Sequence, residues 1–321
     1  MEEANQKRKP ISDEANIVVQ MSQWGELVLP WLNHKELAIT ASTCKTLHKI
    51  ALAITRNRCL DATRSFEPYP VPFHNADVHP PYSFFLYSAS QFIVSGIYGI
   101  SPIRQAWGNF LGSSPAENIV QGSSTECHCG GADGNWNGLE SGIMVECGPG
   151  CRNHVTRRGV TFRLKVVWDE RKGWGLVADQ LIPRRVFICE YAGELLTTEE
   201  ARRRQKVYDE LSPTARFSSA LLVVREHLPS GTACLRINID ATRIGNIARF
   251  INHSCDGGNL ASVLVRTSCS LVPRLCFFSS REIQQGEELT FSYGEIRARP
   301  NCAPCFCGSS SCLGTLPSEN T

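Results

Sequence analysis

Two stretches decide how this chain is read: "NIARFINHSC" at residues 246–255 and "CFCGSSSC" at residues 305–312. The first sets an amide, an imidazole and a thiol almost side by side, in Asn252, His253 and Cys255. The second is a C-x-C-x4-C cluster of Cys305, Cys307 and Cys312. Three thiolates so close in sequence can seize one metal ion, but a structural zinc takes four tetrahedral ligands. Spacing alone leaves the fourth open. Cys302 would complete a local knuckle, whereas a cysteine from a distant segment would tie the tail to another part of the chain.

The surroundings narrow the class. A chain of 321 residues, 42% hydrophobic and 20% charged, can bury a sizeable core, and its length suggests about two domains. Net charge is +2 and the sequence pI is about 7.9, which lacks the basic field that non-specific nucleic-acid binding needs, so no sequence-specific DNA contact is expected. "MEEANQKRKP" lacks a secretory pattern and no apolar run approaches membrane-span length, so an intracellular, soluble chain is expected. Fifteen cysteines in a reducing compartment favour metal binding over disulfides. They cluster at Cys127, Cys129, Cys147 and Cys151 and again from Cys302 to Cys312. Cys189, Cys234, Cys269 and Cys276 stand singly in apolar runs, as buried thiols do.

Along the chain, residues 1–60 predict a helical unit, with Leu37, Ala38, Ala41, Leu47, Ile50 and Ala51 at helical spacing. Residues 61–122, rich in proline and aromatic side chains, predict an extended segment laid over a neighbouring domain. After residue 155 the text becomes short β-like runs broken by turn chemistry, "VTFRLKVVW" through "EELTFSY". One helix interrupts them, "TTEEARRRQKVYDEL", opened by a Thr197/Glu200 capping box and bearing an arginine-rich face expected to be solvated. The fold class is mainly β with a small helical N-terminal region. With no strand-glycine-loop-helix unit, "GWG" at 173–175 is not a dinucleotide fingerprint.

Taken singly, a glycine turn, a strand tyrosine and an Asn-His pair are ordinary. Their order is not: "RKGWGLVA", "FICEYAGELLT", "NIARFINHSC", "GEELTFSYG" and C-x-C-x4-C follow one another between residues 171 and 312. This succession resembles the SET domain of histone lysine methyltransferases. The resemblance implies short β-sheets with a knot-like C-terminal substructure, flanked by zinc-binding segments. "ECGPGCRNHVTRRG" at 146–159 resembles the end of the pre-SET region of the suppressor-of-variegation class, in a plant-type related branch. That class carries nine cysteines for three zinc ions. Here Cys127, Cys129, Cys147 and Cys151 provide ligands for one. The implied division is a helical region at 1–60, the extended segment at 61–122, a pre-SET-like region at 123–160, the SET domain at 161–297 and a post-SET tail at 298–321.

The resemblance further implies that S-adenosylmethionine methylates a lysine of a histone tail, lysine nine of histone H3, on nuclear chromatin. Tyr293 takes the catalytic position, and Tyr191 lines the lysine channel. Phe291 takes the position that sets product state, and phenylalanine there favours di- or trimethyl product. Lys172, Gly173, Trp174, Asn252, His253 and Tyr293 fall at cofactor positions, with the close backbone approach expected at Gly173 and Trp174. Family members share the zinc of the C-terminal cysteines with the cysteine of "NHSC", which makes Cys255 the fourth ligand of Cys305, Cys307 and Cys312. "SSALLVVRE" at 218–226 is the candidate edge for the histone tail. Two other functions stay open. One is a non-catalytic zinc scaffold of SET shape. The other is a ubiquitin-ligase adaptor, because "LVLPWLNHKELAITASTCKTLHKIA" resembles the later part of an F-box, making an adaptor partner possible through the N-terminal helices.

Overall fold

The computed structural model describes residues 11–74, 84–93, 143–146, 155–211, 219–227, 234–267, 272–294 and 303–317. Cys127, Cys129, Cys147, Cys151, Cys269 and Cys302 lie outside these residues, so the expected pre-SET zinc set does too. The chain divides into two compact units, one of residues 1–60 with 81–86 and one of residues 61–80 with 87–321.

The first unit is helical: α1 (Ile11–Val28), a 3-10 turn (Leu29–Trp31), α2 (His34–Ala41) and α3 (Lys45–Leu60). Asn33 starts α2 with a capping box. Its Oδ1 accepts the N–H groups of Lys35 and Glu36, and Glu36 accepts that of Asn33 in return. Leu29, Leu37 and Ala51 form the core, with Ala41, Leu47 and Ile50 against it. Ala38 faces solvent, because it follows Leu37 by one residue and so turns about 100° away.

The second unit is mainly β. Its strands are β1 (Phe73–His74), β2 (Leu86–Tyr87), β3 (Phe92–Ile93), β4 (Ile143–Glu146), β5 (Leu164–Asp169), β6 (Gly173–Ala178), β7 (Phe187–Glu190), β8 (Gly193–Leu196), β9 (Leu221–His227), β10 (Cys234–Gly245), β11 (Asn252–His253), β12 (Leu260–Thr267), β13 (Arg274–Ser279) and β14 (Thr290–Phe291). One sheet has the order β1-β5-β6 and another β4-β12-β13-β7. In a third, β10 lies between β8 and β9, and β3 pairs with β8. The proline- and aromatic-rich segment thus supplies β1 and β3, each parallel to a longer strand. Its entry is held by Asp61, whose carboxylate accepts the N–H groups of Thr63, Ser65 and Val71. Phe187, Val263, Val265, Cys276 and Phe278 form a core in which Cys276 packs as a small apolar side chain, as Cys189 does nearby.

The knot-like part forms where residues 286–291 run alongside 252–259. β11 and β14 pair in parallel, Ser254 N–H donates to Phe291 O, and Asn259 holds both faces of the crossing through Thr290 and Glu288. Gly258 is required there: its φ is +73°, and a Cβ would lie 2.3 Å from Thr290 O.

α4 (Thr198–Leu211) keeps Arg202 and Arg203 on the expected solvated face. Thr197 Oγ1 does accept the Glu200 N–H, at 3.2 Å. Arg204, however, turns inward to Glu194, Glu200 and Asp240, and Tyr208 Oη donates to the same buried Asp240. An arginine stem long enough to reach across to β8 and β10 serves packing as well as charge. Arg274 is more deeply buried. It donates to Glu190 at 3.2 Å and Glu146 at 2.8 Å, and Thr156 fills the remaining space. Removing it leaves two carboxylates buried without a counter-ion, so Arg274→Ala is expected to cost about 3–5 kcal/mol. Urea unfolding of the variant checks this, with a midpoint equal to the parent's as the contrary result.

Candidate active site and metal centre

The two residues of β11 face opposite ways, as successive strand residues must. Asn252 points to the turn between β5 and β6. Its Nδ2 donates to Glu288 Oε1 at 2.8 Å and to Trp174 O at 3.3 Å. The Lys172 ammonium sits on the other oxygen of Glu288. Glu288 therefore joins Lys172 and Asn252 into one polar shelf beside the backbone of β6. Within the chain the backbone of β6 comes closest to the shelf at Gly175, where a Cβ would lie 2.7 Å from Glu288 Oε1 and 3.2 Å from Asn252 Nδ2. Gly173 is needed for its φ of +79°, and a Cβ there would meet only the Trp168 ring at 3.8 Å. Asp169 Oδ1 shapes the turn by accepting the N–H groups of Arg171 and Lys172, which holds its carboxyl below the usual range. The Trp174 ring packs edge-on against Trp168 and Phe73.

His253 points the other way. Its Nδ1 accepts the Tyr293 N–H at 3.1 Å, so a neutral ring carries its proton on Nε2, which faces Cys255 Sγ at 3.3 Å. Burial lowers the pKa of His253 and keeps it neutral. The ring thus links the catalytic-position tyrosine to a candidate metal ligand instead of joining the Lys172 shelf.

Tyr293 Oη donates to Ile251 O and Tyr191 Oη to Ala220 O, each at 2.8 Å. Burial pushes both phenols well above their ordinary range, so both stay protonated at neutral pH. Between them run Phe277, 6.2 Å from the Tyr191 ring, and Phe291, 4.5 Å from Phe277 and 5.0 Å from Tyr293. Four rings make one continuous wall. Phe277 was not singled out in the sequence, where it sits inside an apolar run. Glu288 was missed too, as one of two adjacent glutamates in a turn; its place five residues before Tyr293 was the available signal.

The Sγ atoms of Cys255, Cys305, Cys307 and Cys312 all lie within 4.8 Å of one another, and those of Cys255 and Cys305 are 3.8 Å apart. A tetrahedron of thiolates about 2.3 Å from zinc has edges of about 3.8 Å, so the donor set and its size fit that metal. The shelf likewise fits a nucleoside bearing amino-acid charges. It offers an ammonium, a carboxylate, an amide and bare glycine backbone, with aromatic rings adjoining. Glu288→Ala releases Lys172 and Asn252 together and is expected to weaken binding of S-adenosylhomocysteine about tenfold, the scale of a hydrogen bond to a charged group. Calorimetry measures it, and unchanged affinity would remove Glu288 from the site.

Comparison with known proteins agrees with this geometry. The SET domain family matches residues 173–294. The histone-lysine N-methyltransferase SUVR3 of Arabidopsis thaliana is 52% identical over 322 residues, spanning 92% of this chain and 91% of that protein. The methyltransferase domain of human SETMAR superimposes with a TM-score of 0.59 at 29% identity, covering 80% of this chain and 97% of that one. SUVH6 of Arabidopsis thaliana, solved with S-adenosylmethionine, gives 0.56 at 25% identity over 80% of this chain and 56% of its own. Five ordered motifs, a four-thiol cluster joined to the Asn-His strand, and a relative matched over nearly the whole length place this chain in the SET-domain histone-lysine methyltransferases, in their suppressor-of-variegation-related class.

Proposed function

We propose that this protein transfers a methyl group from S-adenosylmethionine to a lysine of the histone H3 tail, lysine nine, in nuclear chromatin, and yields di- or trimethyl product. The observation that carries the reading is the aromatic wall from Tyr191 to Tyr293 meeting an edge strand: Tyr191 Oη is bonded to Ala220 O, immediately before β9. Among the described residues β9 pairs only with β10, which leaves its other edge for an extended peptide. SUVH6 bound to S-adenosylmethionine supports the cofactor, and the likeness to the suppressor-of-variegation class supports lysine nine.

A lysine amine has a pKa of about 10.4 in water and must shed its proton to react. The bound cofactor supplies an activated methyl on a sulfonium. The chain's rings supply the rest. Tyr191, Phe277, Phe291 and Tyr293 exclude water and favour the neutral amine by desolvation, while their π faces receive it on entry as a cation. Both phenols are protonated and committed to main-chain carbonyls, so neither serves as a general base. Their part is to fix the channel's geometry, where proximity lowers the barrier. The Lys172–Glu288–Asn252 shelf holds the cofactor on the far side of β11 from His253. Four thiols at 255 and 305–312 would hold zinc, and Cys127, Cys129, Cys147 and Cys151 would hold a second ion.

A second role is favoured by one feature of the helical unit. Trp24 is 67% exposed, Leu27 66% and Trp31 52%, an apolar face suited to a partner such as the ubiquitin-ligase adaptor its F-box-like text suggests. Co-purification with that adaptor, lost in Trp24→Ala/Leu27→Ala, tests it.

Labelled methyl transfer to an H3 tail peptide tests the main reading. Transfer is expected on the parent peptide, none after lysine nine is replaced by arginine, and a loss of about a hundredfold in Tyr293→Phe. Mass spectrometry should find di- and trimethyl product, with Phe291→Tyr stopping earlier. Monomethyl product alone at long incubation would contradict the role given to Phe291.

A further inference from the structure

The Tyr191 hydroxyl is bonded to a main-chain atom, so whatever holds that atom helps to hold the ring. Its acceptor, Ala220 O, lies just outside β9, where the ladder to β10 stops at the pair Asp240–Leu221. Beyond that pair the Ala241 N–H still donates to Ala220 O, at 3.0 Å. The Ala220 N–H instead donates to a side chain, the Thr242 hydroxyl, at 2.9 Å. Ala220 is thus gripped by β10 through both of its main-chain polar groups.

Thr242 is buried and is itself tied down. It follows Asp240 by two residues in β10 and faces the same side. Asp240 Oδ1 accepts the Thr242 N–H at 3.0 Å, and Oδ2 accepts from Arg204 Nη1 and Tyr208 Oη, each at 2.7 Å. The Thr242 hydroxyl is also hydrogen-bonded to the Tyr208 phenol. That phenol gives its own proton to Asp240, so the hydroxyl donates to Tyr208 and keeps a lone pair for the Ala220 N–H. Its orientation is therefore fixed at both ends. The path from the buried cluster under α4 to the Tyr191 phenol passes through Thr242 and Ala220.

We propose that Thr242 is a positioning residue that carries the rigidity of the Arg204–Asp240–Tyr208 cluster through Ala220 to Tyr191, and so sets where the Tyr191 ring stands in the lysine channel. The proposal rests on the channel role given to Tyr191 above. Thr242 is bonded to Ala220, Asp240, Tyr208 and Arg249, none of which belongs to the polar shelf of Lys172, Glu288 and Asn252. Its loss should therefore disturb methyl transfer and spare the cofactor. Valine matches threonine in shape but leaves the Ala220 N–H without its acceptor.

The test uses the full chain, with steady-state methyl transfer to the H3 tail peptide and S-adenosylhomocysteine affinity as separate readouts. Thr242→Val should lower kcat about three- to tenfold, the scale of one lost hydrogen bond, while the probe binds as it does to the parent. Thr242→Ser keeps the hydroxyl and should stay within about twofold of the parent kcat. Tyr191→Phe should also lower kcat, and adding Thr242→Val to it should cost nothing further, because the two substitutions act through one bond. Parent-like kcat in Thr242→Val, a serine variant as slow as the valine one, additive losses in the double variant, or a matching loss of probe binding would overturn the proposal. Transfer by Tyr191→Phe at the parent's rate would strike at the channel role of Tyr191 itself, and the part given to Thr242 would fall with it.

Discussion

Alternation along a two-residue strand organises the site. Because Asn252 and His253 are consecutive in β11, one must face the β5–β6 turn and the other Tyr293. Asn252 closes the polar shelf with Glu288 and Lys172. His253 accepts from the Tyr293 main chain and turns its second nitrogen to Cys255. Polar shelf, tyrosine and thiol cluster are thereby held by one segment. Pairing with β14 fixes that segment in turn, and Phe291 rides on β14 beside Tyr293.

Behind this segment the sheets are joined by buried charge as much as by apolar contact. Arg274 draws Glu146 and Glu190 together, and with them β4, β7 and β13. Arg204 does the same for α4, β8 and β10 through Glu194 and Asp240. Such clusters add little net stability over apolar packing, but every mispaired arrangement leaves an unpaired charge, which makes them specific. Glu190 shows the tension. Its burial raises its pKa, while Arg274 and the Gln91 N–H pull the other way. Tyr191 follows it directly, so the aromatic wall starts beside that buried cluster.

Much of the site was legible because its chemistry is local in sequence: Tyr191, Phe291, Tyr293, Asn252 and His253 lie in short ordered motifs. The parts that escaped depend on approach in space. Glu288 looks like a turn glutamate until Gly175 brings β6 against it. Arg204 left the solvated arginine face because helical period alone cannot say where a stripe ends, and a long arginine crosses that boundary. The fourth thiol was ambiguous by spacing, since Cys302 and Cys255 both complete a set of four. The fold brings Cys255 into the cluster across fifty residues of chain.

Cys255 thereby ties the tail to the segment that carries Asn252 and His253. Zinc K-edge absorption on the purified full chain tests it directly. The parent should show a shell of four sulfurs at about 2.3 Å. Replacing Cys255 with serine should lower the mean sulfur count or the zinc content, while replacing Cys302 with serine should change neither. A sulfur shell lost with Cys302 and kept without Cys255 would contradict it.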